Sequence, residues 1–156
     1  VAGAAEVSPR ELERYLHEHI PLSRAMAASV VAVLRDEVSL AAPLAPNINH
    51  RDTVFGGSAA ALAMLAGWSL LHVRLRAEGS EARLVIQRNT MEYQRPISGD
   101  FTARAALEHP QRWQQFMATL ARRGKARIAV TALLEQGGQI AGRLSGEFVA
   151  LAGADG

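Results

Sequence analysis

Apolar residues near the start of the chain recur at helical spacing: Leu12, Tyr15, Leu16 and Ile20 fall on one face. Ser8-Pro9-Arg10-Glu11 marks the beginning of that face, with a capping serine, a proline at the first helical position and a glutamate three residues after the cap. A helix over about 9–20 is predicted, closed by Pro21, which disfavours helical geometry at the residue before it. Ser29 to Leu44 is rich in valine and leucine around a polar Arg35-Asp36-Glu37 centre, the pattern of two strands joined by a tight turn. The next element differs in kind. A helix from about Phe55 to Glu78 is apolar on nearly every side in its first half, and Gly79 supplies its stop. Such a helix must be covered all round, and a sheet curled about it does this in a small domain.

From Arg83 onward the pattern turns strand-like. Leu84–Pro96 and Asp100–Leu107 read as a hairpin through Ile97-Ser98-Gly99. A shorter helix follows between Pro110 and Gly124, with Trp113, Phe116, Met117 and Leu120 at helical spacing. Arg127–Glu135 and Gln139–Leu151 are expected to pair across Gly137-Gly138, a good two-residue hairpin turn. Residues 152–156 read as a frayed tail. No internal repeat or low-complexity linker divides the chain, so its 156 residues, about half of them apolar, are expected to form one α+β domain. A chain of this length buries roughly 70% of its unfolded surface.

Composition narrows the chemistry. The net charge is only +2, from sixteen arginines and Lys125 against fifteen acids, and basic and aromatic residues are not interleaved, which argues against nucleic acid. Without cysteine, disulfides, thiolate metal sites and cysteine nucleophiles are excluded. No basic segment followed by an apolar stretch and cleavage site opens the sequence, so a cytoplasmic protein is the expectation. The longest apolar run, Ala59 to Leu71, is interrupted by Gly67 and Ser69 and closed by His72, Arg74 and Arg76. It is shorter than the ~20 residues of a membrane span, so a buried helix is expected and no membrane partner. The five histidines lack ligand spacing with acids, and His17 and His19 cannot face the same way on a helix, so no metal is expected.

The most informative stretch is Asn47-Ile48-Asn49-His50-Arg51-Asp52-Thr53-Val54-Phe55-Gly56-Gly57-Ser58. It sets polar donors in a loop directly before an apolar helix. The first turn of a helix leaves N–H groups unpaired, and Gly56 and Gly57 remove side chains that would keep a ligand away from them. Partial positive charge collects there, which suits an oxyanion.

The order of hairpin, apolar helix and antiparallel strands resembles the hotdog fold of acyl-thioester enzymes. Many hotdog thioesterases carry an asparagine, five intervening residues and His-Gly-Gly at the start of the central helix; here Asn49 is followed at that spacing by Phe55-Gly56-Gly57. Tyr93-Gln94-Arg95-Pro96-Ile97 is similar to the strand after that helix, which commonly closes with an aromatic residue, a spacer and Arg-Pro. More closely, Ala42 to Ser58 resembles the YiiD C-terminal domain family, and the similarity covers about Leu12 to Leu151. This resemblance implies a hotdog homodimer acting on thioesters of acyl carrier protein or coenzyme A, with no cofactor beyond the pantetheine arm of the substrate. Members of that family are known as malonyl-acyl-carrier-protein decarboxylases and have long been described as thioesterases.

Departures from the commoner thioesterase pattern bear on the reaction. Hydrolysis needs a water activated by a base, often an acid on the second turn of the central helix. Met64 stands at that place, no acid lies between Phe55 and Ala77, and Phe55 replaces the histidine. Asn49 and the amides at Gly56 and Gly57 remain to polarise a thioester carbonyl. That inventory suits decarboxylation of a malonyl thioester, in which charge develops on the thioester oxygen and no water need be activated. Val54, Phe55 and Met64 supply an apolar surround. Hydrolysis is the alternative, and a binding module without turnover is a third reading.

Other residues carry both a functional and a plainer expectation. Asn49 is expected as catalytic donor, with turn formation as its plainer role. Asn47 reads first as a turn residue and otherwise as a substrate contact; Ser58 is expected as a substrate contact. His50 is a candidate acid to reprotonate the enolate, or an exposed loop histidine. Asp52 is a candidate base for hydrolysis, with helix capping preferred. Asn89 and Glu92 lie on a strand that flanks the acyl tunnel of a hotdog dimer, or on its solvated face. Arg122, Arg123 and Lys125, with Arg127, form a basic cluster suited to an acidic carrier protein or a pantetheine phosphate, or to solvent.

Overall fold

The structure is a computed structural model that describes residues 6–153. Helix α1 spans Pro9–His19, and its predicted capping box forms: Glu11 N donates to Ser8 Oγ at 3.1 Å and Ser8 N to Glu11 Oε2 at 3.5 Å. A short helix α2, Pro21–Ala25, follows where none was expected, because Pro21 occupies the first position of a new helix after ending the old one. Strands β1 (Ser29–Val33) and β2 (Val38–Ala42) make the predicted hairpin, with Leu34 N donating to Glu37 O. Helix α3 spans Gly56–Ala77 and ends before Gly79, whose φ of 75° suits glycine. Strands β3 (Arg83–Tyr93) and β4 (Phe101–Leu107), helix α4 (Trp113–Arg123), and strands β5 (Lys125–Gln136) and β6 (Gln139–Leu151) complete the order. Pro110–Arg112 forms a 3₁₀ turn ahead of α4.

All six strands join one antiparallel sheet in the order β1-β2-β4-β5-β6-β3, and α3 packs against five of them. This is the hotdog arrangement. Its core is made where Leu62, Leu70, Leu71 and Leu75 of α3 meet Phe101 and Phe148 of the sheet, all essentially inaccessible. Each such side chain contributes about 1.5–3 kcal/mol by leaving water. Gly67 lets helix and sheet approach: a Cβ there would meet the Phe148 ring and Val130 Cγ1 at 3.3 Å.

The expected β3–β4 hairpin does not form. β3 pairs with β6, from Arg83↔Leu151 to Tyr93↔Gly142, whereas β4 sits between β2 and β5. Residues 94–100 cross from one side of the sheet to the other instead of reversing. Gln94 N and Arg95 N both donate to Ala141 O, and Ile97 is buried with its carbonyl accepting from Val54 N at 2.8 Å. Glycine and proline marked this stretch as a loop; they did not specify its reach. The β5–β6 hairpin does form across Gly137 (φ 57°) and Gly138 (φ 78°), the positive-φ pair of a type I′ turn. Of the expected tail, Ala152 N donates to Gly124 O, and residues 154–156 lie outside the described residues.

α3 is long and apolar enough to cross a membrane by length and composition, contrary to the shorter span expected from the longest apolar run. Burial distinguishes it, since 67% of its apolar window is enclosed by the fold. Part of that cover comes from α1, where Tyr15 stacks on His72 with centroids 4.7 Å apart, and Trp68 on His72 at 4.6 Å. His72 is 7% exposed, and burial, with smaller contributions from Arg76 and His19, pushes its imidazole down from 6.5 to about 4. The folded protein therefore holds His72 neutral while the unfolded chain protonates it below about pH 6.5. The contribution to stability is fully present above that pH, fades as pH falls toward 4, and amounts to about 3 kcal/mol. Denaturant titrations at pH 7.5 and 4.5 should show the loss, and His72→Phe should flatten it. An unchanged pH dependence in that variant would remove His72 as the cause.

Candidate active site

The loop before α3 is fastened at both ends. Asn47 is buried, at 2% exposure, and its Nδ2 donates to Met26 O at 3.0 Å and Pro43 O at 2.8 Å. Its own carbonyl accepts from Phe55 N at 2.7 Å. Asn47 is thus an anchor, and it is not in the lining of the cavity described below. Within the loop, Ile48 bridges to Val54, and Asn49 N donates to Thr53 O at 2.8 Å.

Asn49 shapes the turn through its side-chain oxygen, which accepts from Arg51 N at 2.8 Å and Thr53 N at 3.2 Å. One amide hydrogen is committed to Thr53 Oγ1 at 2.8 Å. The other has only a 3.5 Å contact to Val54 O, too long to hold it firmly. Asn49 is itself outside the lining of the cavity described below; its neighbour in this contact, Val54, belongs to that lining. His50 and Asp52 are exposed at the outer turn of the loop and lie outside that lining. Asp52 does not cap α3: it has φ 62°, and Phe55 stands at the N-cap without any side-chain hydrogen bond. The aspartate is spent on a left-handed turn, a conformation its short polar side chain tolerates.

Among the described residues, the amides of Gly56, Gly57 and Ser58 find no acceptor, and no acid lies in the first turn of α3. Two aromatic rings flank them. Phe55 is 58% exposed and lies over Gly57, where an added Cβ would come 2.4 Å from its ring. Tyr93, 60% exposed at the end of β3, places its ring against Gly56 and donates its hydroxyl to Gly56 O at 3.0 Å. The sequence marked Tyr93 as part of a strand-closing motif without giving it a role.

Between these groups opens a cavity of about 330 Å³. Val54, Gly56 and Ala59 form one wall, Tyr93 to Ile97 a second, and Leu134 and Ala141 the back. No carboxylate is among the lining residues. The one cation is Arg95, whose Nη1 donates to Gln139 Oε1 at 2.8 Å. Met64 is half-buried against the core, beyond the lining. Asn89 is exposed on β3, and Arg122, Arg123 and Lys125 lie at the other end of the sheet. Lys125 opens β5 and Leu134 lies toward its far end, about 30 Å along the strand, so one protomer does not bring the basic cluster to the cavity.

Residues 9–152 match the family described as "Putative thioesterase (yiiD_Cterm)". The chain belongs to the YiiD C-terminal family. Solved structures share the fold of this family member. It is 25% identical to the protein OLEI01261 of unknown function from Chlorobaculum tepidum TLS, with 95% of this chain and 99% of that one covered and a TM-score of 0.86. A protein from Shewanella oneidensis described as a putative thioesterase gives 23% identity, coverage of 92% and 96%, and a TM-score of 0.81. The thioesterase HI1161 from Haemophilus influenzae gives 14% identity, coverage of 97% and 96%, and a TM-score of 0.74. This family member thus carries a thioesterase-like hotdog fold.

Proposed function

We propose that this protein binds an acyl thioester with its carbonyl oxygen at the N-terminus of α3 and decarboxylates a malonyl thioester to an acetyl thioester. The observation that carries this reading is a cavity with no carboxylate in its lining, walled in part by Gly56 at the unpaired start of α3, with Asn49 and Gly57 next to lining residues. As the carboxylate leaves, charge moves onto the thioester oxygen, where these donors stabilise it. Arg95 lines the same cavity and gives one of its guanidinium N–H groups to Gln139 Oε1.

Hydrolysis is the second reading, and the comparisons favour it: the family description and the names of two similar proteins speak of thioesterases. Against it stands the want of a base for water at this cavity. Incubation with malonyl-carrier protein and malonyl-CoA separates the readings. Carbon dioxide and acetyl thioester without free thiol support decarboxylation, whereas free thiol in proportion to substrate lost refutes it in favour of hydrolysis.

The reading includes a homodimer. Among the described residues, strand β3 has a neighbour only on its β6 side and offers eleven residues along an open edge, an arrangement prone to pair with another strand. The opposite edge, β1, has five residues, and Glu13 Oε1 accepts from Val30 N there. In the antiparallel register we propose, centred on Thr90, Arg88 faces the partner's Glu92, and the basic end of one protomer is brought toward the cavity of the other. Arg88→Glu should shift the protein toward monomer in light scattering, and adding Glu92→Arg should restore the dimer. A monomeric wild type would end this part of the proposal.

A further inference from the structure

We propose that a second cavity, at the far end of α3 from the candidate active site, binds a monocarboxylate with an apolar chain, its head group on Arg74. The cavity has a volume of about 520 Å³. Small-molecule sites span roughly 300–1,000 Å³. About 27 Å of helix separates Arg74 from Gly56, and the two cavities share no lining residue. One wall comes from the end of β1 and the turn after it, at the opposite edge of the sheet from β3, the edge assigned to the dimer. Val7, Val33, Leu34 and Val73 make the sides apolar, and Leu34 is 58% exposed.

Arg74 gives this apolar space a place for a head group. Its side chain is 11% exposed, and its guanidinium carbon lies 4.3 Å from the centre of the Trp113 ring, which sets its position. Among the described residues, its only side-chain acceptor is Asp36 Oδ1, 3.3 Å from Nη1, and Asp36 is 79% exposed. A guanidinium has more donors than this single contact uses. Burial, with Arg35 adding to it and Asp36 and Glu78 offsetting it, pushes the Arg74 pKa below its ordinary value. A bidentate carboxylate supplies the missing acceptors, and the exposed pair with Asp36 that it displaces is worth little. Glu6 and Glu78 also line the cavity, and Glu78 Oε1 accepts from Trp113 Nε1 at 3.0 Å. Their charge suits a single carboxylate better than the higher charge of a phosphate. The apolar chain then lies along the valines and Leu34.

Titration calorimetry of the full chain with octanoate tests this, with acetate, octanol and octyl phosphate as comparisons. Octanoate is expected to bind at least about tenfold more tightly than acetate or octanol, because each buried methylene adds roughly fourfold and the alcohol lacks the charge. Arg74→Gln should weaken octanoate by about tenfold or more, whereas Asp36→Asn should tighten it about two- to fivefold by removing the competing carboxylate. Asp36 lies on an exposed turn, so its variant decides the question even if Arg74→Gln fails to fold. Octanoate binding that neither variant changes lies elsewhere on the protein and overturns the assignment, as does a lack of binding at millimolar concentration. Octanol bound as tightly as octanoate, or octyl phosphate bound more tightly, overturns the choice of head group.

Discussion

Asn49→Ala is expected to lower turnover of a malonyl thioester by about 10²–10³-fold, the loss that follows removal of one oxyanion donor. The alanine also removes the acceptor for Arg51 N and Thr53 N, so loss of activity alone would not separate chemistry from loop shape. Asn49→Asp makes that separation. It retains an oxygen for both loop amides, while replacing the spare N–H beside Val54 with a negative oxygen that opposes charge on the substrate. Both variants should melt within a few degrees of wild type, because Asn49 lies on a partly exposed loop. Initial rates and melting curves of the two variants test this directly; a near-wild-type rate in Asn49→Asp would take the side-chain donor out of the mechanism.

The second large effect is on stability. Asn47→Ala leaves Met26 O and Pro43 O without their donor, one in a buried and one in a part-buried hydrogen bond, and the loss together costs about 2–4 kcal/mol. For a chain of this size, that corresponds to a fall in Tm of roughly 5–15 °C. Asn47→Asp should be at least as harmful, because it turns an oxygen toward both carbonyls. The Asn47 carbonyl also holds Phe55 N, so the start of α3 should loosen in step with the fold. Thermal denaturation of the two variants checks this, and a Tm within about 2 °C of wild type would show that Asn47 is not an anchor.

Elements fixed by local pattern were legible in the sequence. The capping box at Ser8, the all-round apolarity of α3 and the Gly137-Gly138 turn each act over a few residues, and each appears as expected. The crossing from β3 to β4 was not legible, because its path is set by distant partners: Ala141 O for Gln94 and Arg95, and Val54 N for Ile97. The site shows the same division. Its glycines and Asn49 stand out as residue types before a helix, and the motif spacing points to them. Tyr93 reaches Gly56 only once β3 has been laid beside α3, and Asp52 forms a left-handed turn in place of the expected cap because capping and such turns draw on the same residue type. Likewise, charge alone grouped Arg122, Arg123 and Lys125 with the site, whereas strand length sets them apart from it.

The position of β6 has a consequence for synthesis. Among the described residues β3 has no sheet neighbour other than β6, so during translation it waits, open on both edges, until β6 has left the ribosome. Tyr93 sits at the end of that waiting strand, and the wall it forms cannot be assembled earlier. A nascent chain stalled before β6 would expose a long strand prone to aggregation and carry no finished site.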